Sequence, residues 1–237
     1  MSGARHGAGG ASSMTIKAIL TDIEGAAGPL SFLKETLLPY ARERLGSFIA
    51  AHAEDEDIEE ALEEAGRLMG GFSLKPVEAE ALLQRWMKQG RNPTPLKIIQ
   101  GRIWEEGYEA GVFTAEIFPD VAPSLNAWRD AGIRLFTYSS SSELAQRLWL
   151  GSAGGDVATV FEDLFDTRVG QKVEEESYKA IAERLALPVA EILVLSENED
   201  ELDAAKAAGL ATTRITRDGG GGGNHPVAVD FASLNLG

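Results

Sequence analysis

Apolar and polar positions along the chain follow two regimes. Short apolar runs rich in β-branched residues and ended by turn residues read as buried strands. They are "TIKAIL" (Thr15 to Leu20), "IRLFTY" (Ile133 to Tyr138), a weaker "LFDTRV" (Leu164 to Val169), "ILVL" (Ile192 to Leu195) and "TTRIT" (Thr212 to Thr216). From Val121 onward these alternate with helical spacing: about Val121 to Ala131, from Glu143, Glu174 to Leu185, and Asp200 to Ala208, where Gly209 supplies a C-cap. From about Ser31 to Ala110 the spacing is helical throughout. "EDIEEALEEAGRLM" puts Ile58, Leu62, Ala65, Leu68 and Met69 on one face. "PVEAEALLQRWM" opens on Pro76 at a first helical position and gathers Leu82, Leu83, Trp86 and Met87. "NPTPLKIIQGRIWEEGYEAG" begins with a turn signal and turns helical after Pro95.

Strands alternating with helices predict an α/β fold with a parallel, doubly wound, Rossmann-like sheet. The helical block interrupts that alternation and reads as an inserted all-helical cap. The expected division is a core of residues 15–30 and 113–237, a cap of 31–112, and a disordered tail of 1–14. The tail, "MSGARHGAGGASS", is small, polar and glycine-rich and lacks the apolar middle of a secretory signal. "DGGGGGN" (Asp218 to Asn224) reads as a flexible loop.

Composition narrows the chemistry. The 237 residues suffice for one large domain or a core with a smaller insertion. The net charge of −15 argues against nucleic acid or an anionic membrane surface as the main partner, while leaving room for a locally positive site. No run approaches the roughly 18 apolar residues of a membrane span, and the cytoplasm is the expected compartment. The absence of cysteine removes disulfides, thiolate metal sites and cysteine nucleophiles. His6, His52 and His225 are the three histidines, too few and too scattered for a histidine metal cluster.

In open α/β sheets, sites form outside the carboxyl ends of the strands. The polar residues at those ends are Asp22 and Glu24, Ser139 and Ser140, Lys172 after the third strand, and Glu197 with Asn198. Carboxylates from separate strands can bind Mg²⁺, which takes oxygen ligands. Lysine and hydroxyl or backbone N–H donors suit a phosphoryl group. An aspartate held there can attack phosphorus, and an acid two residues later can protonate the leaving oxygen and activate water. Each element also has an ordinary structural explanation. Asp22 and Glu24 can start a turn, the run Ser139 to Ser142 can cap a helix, Lys172 can be a solvated surface residue, and the acids from Glu197 to Glu201 suit a helix N-terminus. Their common order at successive strand ends favours a site.

At these residues the sequence resembles the haloacid dehalogenase superfamily of phosphohydrolases and, more narrowly, the enolase-phosphatase E1 family, the acireductone synthases of methionine salvage. The matching segments include "TDIEG", "SFLKETLLPYARERL", "TPLKIIQGRIWEEGY", "FPDV", "YSS", "FDTRVGQKVEEESY" and "EILVLSENEDELDAAKAAG", spread from about Ile16 to Arg217. The resemblance implies Asp22 as nucleophile and Mg²⁺ ligand, and Glu24 as acid/base with its backbone carbonyl on the metal. It implies Ser139 and Ser140 on the phosphoryl oxygens, Lys172 neutralising phosphate and nucleophile, and Glu197 as the last metal carboxylate. It implies a small phosphorylated substrate, 2,3-diketo-5-methylthiopentyl 1-phosphate, that is enolised and then dephosphorylated. Lys97, in the cap segment "TPLK", is a candidate contact to the diketone.

Three departures from the family pattern lie beside this chemistry. Ala26 and Ala27 stand where "EGTT" has two threonines, Ser141 where "SSGS" has glycine, and Glu197 where "SD" has aspartate. Alternatives therefore stand beside the family reaction: a paralogue acting on another phosphorylated metabolite, a receiver-like module whose aspartate is phosphorylated without turnover, or a ligand-binding protein with weakened catalysis.

Overall fold

The computed structural model describes residues 15–237 except Phe72, Gly155, Asp156, Asn235 and Gly237; the expected tail of residues 1–14 lies outside the described residues. A six-stranded, all-parallel sheet runs in the order β3-β2-β1-β4-β5-β6. The strands are β1 (Ala18–Thr21), β2 (Arg134–Tyr138), β3 (Asp163–Phe165), β4 (Ile192–Ser196), β5 (Ala211–Ile215) and β6 (Val227–Ala228). The α/β expectation is met. The third strand is shorter than the pattern implied, because "TRV" turns away after Asp166. "TTRIT" is not the last strand either: β6 joins the edge in parallel after the glycine loop, a two-residue element too short to show a period.

Side chains alternate across the sheet as a doubly wound fold requires. On β1, Ile19 faces the core that contains Val121, Leu125 and Trp149. Ala18 and Leu20 face the opposite layer, built on Tyr178, Ile181, Leu185 and Leu202. The first layer uses α5 (Val121–Asp130) and α6 (Glu143–Ser152). The second uses α7 (Glu175–Leu185) and α8 (Glu199–Ala207).

Between β1 and α5 lie α1 (Leu38–His52), α2 (Glu56–Leu68), α3 (Pro76–Lys88) and α4 (Thr94–Glu109). They bury Leu45, Ile49, Ile58, Leu83, Trp86 and Ile103, and their core is continuous with the first sheet layer. A π-helical segment, Phe32–Leu37, leads into α1 just before Pro39, which lacks an N–H and crowds the preceding turn. The Trp104 indole N–H donates to the Leu37 carbonyl at 2.7 Å and ties α4 to this turn.

Register aligns the strand ends. Thr21 pairs with Thr137 on one side and with Leu195 on the other. The next residues along each strand, Asp22, Tyr138 with Ser139, and Ser196 with Glu197, therefore emerge side by side at the carboxyl edge.

Candidate active site

Asp22 is the first residue beyond the central strand. Its N–H still joins the ladder, donating to the Leu195 carbonyl at 2.9 Å. One carboxylate oxygen accepts the Ile23 N–H at 2.9 Å and the other receives Lys172 Nζ at 2.8 Å. The chain then folds into a tight turn, with Ala27 and Gly28 N–H both donating to the Ile23 carbonyl and Gly25 N–H to the Gly28 carbonyl. Gly25 sits at φ +83°, where L side chains are strained. A Cβ there would lie 2.2 Å from the Glu197 carboxyl carbon, so the glycine lets Glu197 fold over the turn.

The first departure has a local explanation. Ala26 and Ala27 are fully buried, where an unpaired hydroxyl is costly. The turn is held through backbone atoms instead. Arg217 donates twice to the Ala26 carbonyl, at 3.0 and 2.5 Å, while paired with Asp120 at 2.6 Å. Phe118 N–H donates to the Ala27 carbonyl.

The four serines divide their work. Ser139 Oγ and Ser141 Oγ donate to the two oxygens of the buried Glu24 carboxylate at 2.7 and 2.5 Å. Ser142 caps α6, accepting the Ala145 N–H. Ser140 is exposed at the cavity. Ser141 has no positive φ, so serine replaces glycine there without backbone strain, and its hydroxyl gains Glu24. Ser139 and Ser140 were expected to act together on a phosphoryl group; Ser139 is fully buried and its hydroxyl is held by Glu24.

Lys172 is a buried ammonium, not a surface residue. Its Nζ lies 2.8 Å from Asp22 and 2.8 Å from Glu201. Burial works against its charge, but Asp22 and Glu201 outweigh that and raise its pKa, so it stays protonated. The loop that delivers it is pinned by two tyrosines, with Tyr138 OH donating to the Gly170 carbonyl and Tyr178 OH to the Lys172 carbonyl. Burial, with Glu24 and Glu201 adding repulsion, pushes the Asp22 carboxyl up, and Lys172 opposes the shift.

Glu201 is the functional residue that sequence reasoning missed. The acidic run Glu197 to Glu201 has a helix N-terminus as its ordinary explanation, with only Glu197 singled out for the site, yet Glu201 is buried and accepts Ser196 Oγ at 2.7 Å as well as Lys172. The available signal was its place in the first turn of α8, on the side that turns back toward the end of β4. Glu197 stands just past β4, and burial pushes its carboxyl above the ordinary value.

Asp22, Glu24, Ser140, Ser141, Glu197 and Glu201 line one cavity of about 330 Å³. Its far wall comes from the helical layer, with Leu33, Leu38, Met87, Leu96, Gln100 and Trp104, and with Arg42 and Arg91 near solvent. Lys97 does not line it. One residue past Leu96, it points about 100° around the helix into a neighbouring cavity and donates to Thr167 Oγ1 at 2.5 Å. Burial lowers its pKa, with Asp166 and Glu24 opposing. Among the described residues, no three acidic or histidine side chains converge as a metal cluster.

Comparison with known proteins identifies the family. The family model described as haloacid dehalogenase-like hydrolase matches residues 16–209. The chain is 86% identical to enolase-phosphatase E1 of Xanthobacter autotrophicus, over 94% of this chain and 100% of that one. It is 48% identical to the protein of the same name from Parvibaculum lavamentivorans, over 85% and 86% of the two chains. Among solved structures, the UTR4 protein of Saccharomyces cerevisiae superposes with a TM-score of 0.75 at 27% identity, covering 92% of this chain and all of that one. A haloacid dehalogenase-type phosphatase from Thermococcus onnurineus, at 19% identity and a TM-score of 0.60, shares the fold. The chain belongs to the haloacid dehalogenase-like hydrolases and, within them, to the enolase-phosphatase E1 family.

Proposed function

We propose that the protein converts 2,3-diketo-5-methylthiopentyl 1-phosphate to an acireductone and inorganic phosphate, in the cytoplasm, with residues 31–112 as a cap over the reacting groups. The single observation that carries this reading is the buried Lys172 bridging Asp22 and Glu201 at the carboxyl end of the central strands, with Glu24 held two residues beyond Asp22. Kinship with proteins named enolase-phosphatase E1 supports the substrate.

Asp22 is the nucleophile: a carboxylate oxygen attacks phosphorus, the bond from phosphorus to the substrate's ester oxygen breaks, and an aspartyl-phosphate forms. Glu24 delivers a proton to the departing oxygen, then takes one from the water that attacks the acyl phosphate and releases phosphate. Lys172 neutralises charge on Asp22 and on the phosphoryl oxygens, and Ser140 donates to those oxygens. Glu24 is oriented by Ser139 and Ser141.

The donor set suits Mg²⁺. Asp22, Glu24, Glu197 and Glu201 line one cavity, and Lys172 pairs with two of them, Asp22 and Glu201. Oxygen donors with surplus negative charge favour a hard divalent cation. Asp22, Glu197 and the Glu24 carbonyl would hold it. Mg²⁺ commonly uses only one or two protein carboxylates, with waters and substrate phosphate completing its shell. When bound, the ion supplies charge stabilisation to the phosphoryl oxygens.

The test is phosphate release from the diketone phosphate with and without Mg²⁺, with a competent enolase-phosphatase run alongside. Release that requires Mg²⁺ and disappears in Asp22→Asn, with the fold intact, is the expected result. No release by the wild-type protein refutes the assignment.

A further inference from the structure

Along α4, Leu96, Gln100 and Trp104 recur every four residues and present one stripe to the Asp22 cavity. The Trp104 N–H is taken by the Leu37 carbonyl. Gln100 differs. It is 2% exposed, and among the described residues its side-chain amide forms no hydrogen bond. The chain's other buried glutamine shows the usual solution. Gln146, 1% exposed, accepts Thr137 Oγ1 through its amide oxygen and donates to the Ser141 and Phe165 carbonyls through its amide nitrogen. What exposure Gln100 keeps is at its amide, on the cavity wall rather than inside the core, and holding an amide at a largely apolar wall without a protein partner is unfavourable. At a helix position between Leu96 and Trp104, an aliphatic side chain would pack at no such cost.

We propose that the Gln100 amide binds the dicarbonyl segment of the substrate, between its phosphate and its thioether, and is a specificity-determining residue of this enzyme. The inference rests on the function proposed above and names the group that reads the two carbonyl carbons next to the phosphate-bearing carbon. A primary amide offers N–H donors and a carbonyl acceptor from one planar group. A vicinal diketone presents two acceptors; its enol presents one acceptor and one O–H donor. Nε2–H donates to a keto oxygen in both forms, and Oε1 accepts the O–H only after enolisation. The pairing is therefore stronger for the enol than for the diketone, and interactions that strengthen along the reaction are the ones that accelerate it. Leu33, Leu38 and Met87, on the same wall, supply apolar surface to the alkyl thioether. A simple phosphate has no group to satisfy Gln100.

The experiment is Gln100→Leu, read three ways in the Mg²⁺-supplemented full-length protein. First, kcat/KM for the diketone phosphate falls about 10- to 100-fold. Second, the competitive inhibition constant of inorganic phosphate changes by less than about threefold, because the phosphoryl site at Asp22 and Lys172 is untouched. Third, the midpoint of thermal unfolding stays within about 2 °C, because the amide makes no hydrogen bond within the protein for the substitution to break. Equal losses for both ligands would assign Gln100 to the phosphoryl group and overturn the proposal. An unchanged kcat/KM, or a variant that unfolds or melts several degrees lower, would overturn it too. If the wild-type protein binds phosphate but does not turn over the diketone phosphate, the substrate reading fails, and the dicarbonyl assignment with it. If the wild type and Gln100→Leu turn it over equally, only Gln100 is wrong.

Discussion

Replacing Lys172 with methionine tests the centre of the site. The substitution keeps much of the side chain's volume and removes one buried positive charge from between two carboxylates, each 2.8 Å away. At an effective dielectric of about 20, each contact is a gross attraction of about 6 kcal/mol. Desolvation of three buried ions cancels much of that, and measured losses for breaking one side of a buried pair are about 3–5 kcal/mol. The loss is at the high end of pairwise effects here because Asp22, Glu24 and Glu201 are then left buried together without a counter-charge. For a chain of this size, each kcal/mol moves the unfolding midpoint by roughly 2–4 °C, so Lys172→Met falls by roughly 6–20 °C. Scanning calorimetry without Mg²⁺ measures it. Lys172→Met/Glu201→Gln relieves one of the stranded carboxylates and recovers part of the midpoint, while activity stays at least about 100-fold down, as for loss of a transition-state donor. A single mutant melting within 2 °C of wild type would refute the charge balance argued here.

Three further outcomes follow from the geometry. Gly25→Ala combines about 1–2 kcal/mol of left-handed backbone strain with a Cβ that the Glu197 carboxyl must vacate; the Mg²⁺ activation curve shifts to higher concentration, and an unshifted curve would separate Glu197 from the metal. Ser141→Ala removes one of the two hydroxyls on Glu24 and costs about 1.5–3 kcal/mol, checked by urea unfolding, where an unchanged midpoint would mean that this hydroxyl adds nothing. Asp166 has its pKa lowered: burial raises it, but the Arg168 side chain and the Arg168 and Glu143 N–H groups outweigh that. A depressed carboxyl stabilises the fold fully above its unfolded pKa of about 3.9 and loses that contribution as pH falls through its folded value. The stability gap between wild type and Asp166→Asn therefore holds from pH 7 to about pH 5 and narrows as pH falls below about 4, as followed by circular dichroism; a gap independent of pH would refute the linkage.

The departures from the family pattern show where reading one residue at a time stops. From sequence, Ala26, Ala27 and Ser141 looked like losses beside the nucleophile. In the folded chain Arg217, 191 positions away, grips the Ala26 carbonyl, and Ser141 turns its hydroxyl onto Glu24. Both compensations join segments distant in sequence, and neither leaves a local signature. Lys97 shows the same limit on a finer scale. Its helix was legible from spacing, but a single residue of helical phase decides whether a side chain faces the Asp22 cavity or reaches Thr167, and the apolar pattern of α4 is too broad to fix that phase.

Alternation of strand and helix determined from sequence alone that the sheet would be parallel and doubly wound. It also determined that Asp22, Ser139 and Glu197 would emerge at one edge, because strands joined by helical crossovers run parallel and so share one carboxyl edge. Tertiary structure alone decided which charges touch. Lys172 and Glu201 arrive from separate connections, and their pairing with Asp22 depends on register and on side-chain packing at 2.8 Å. It alone left the Gln100 amide without a partner facing the cavity. Periodicity is a property of neighbours along the chain, whereas an ionic contact depends on three-dimensional distance and on the low-dielectric surroundings that the rest of the fold creates.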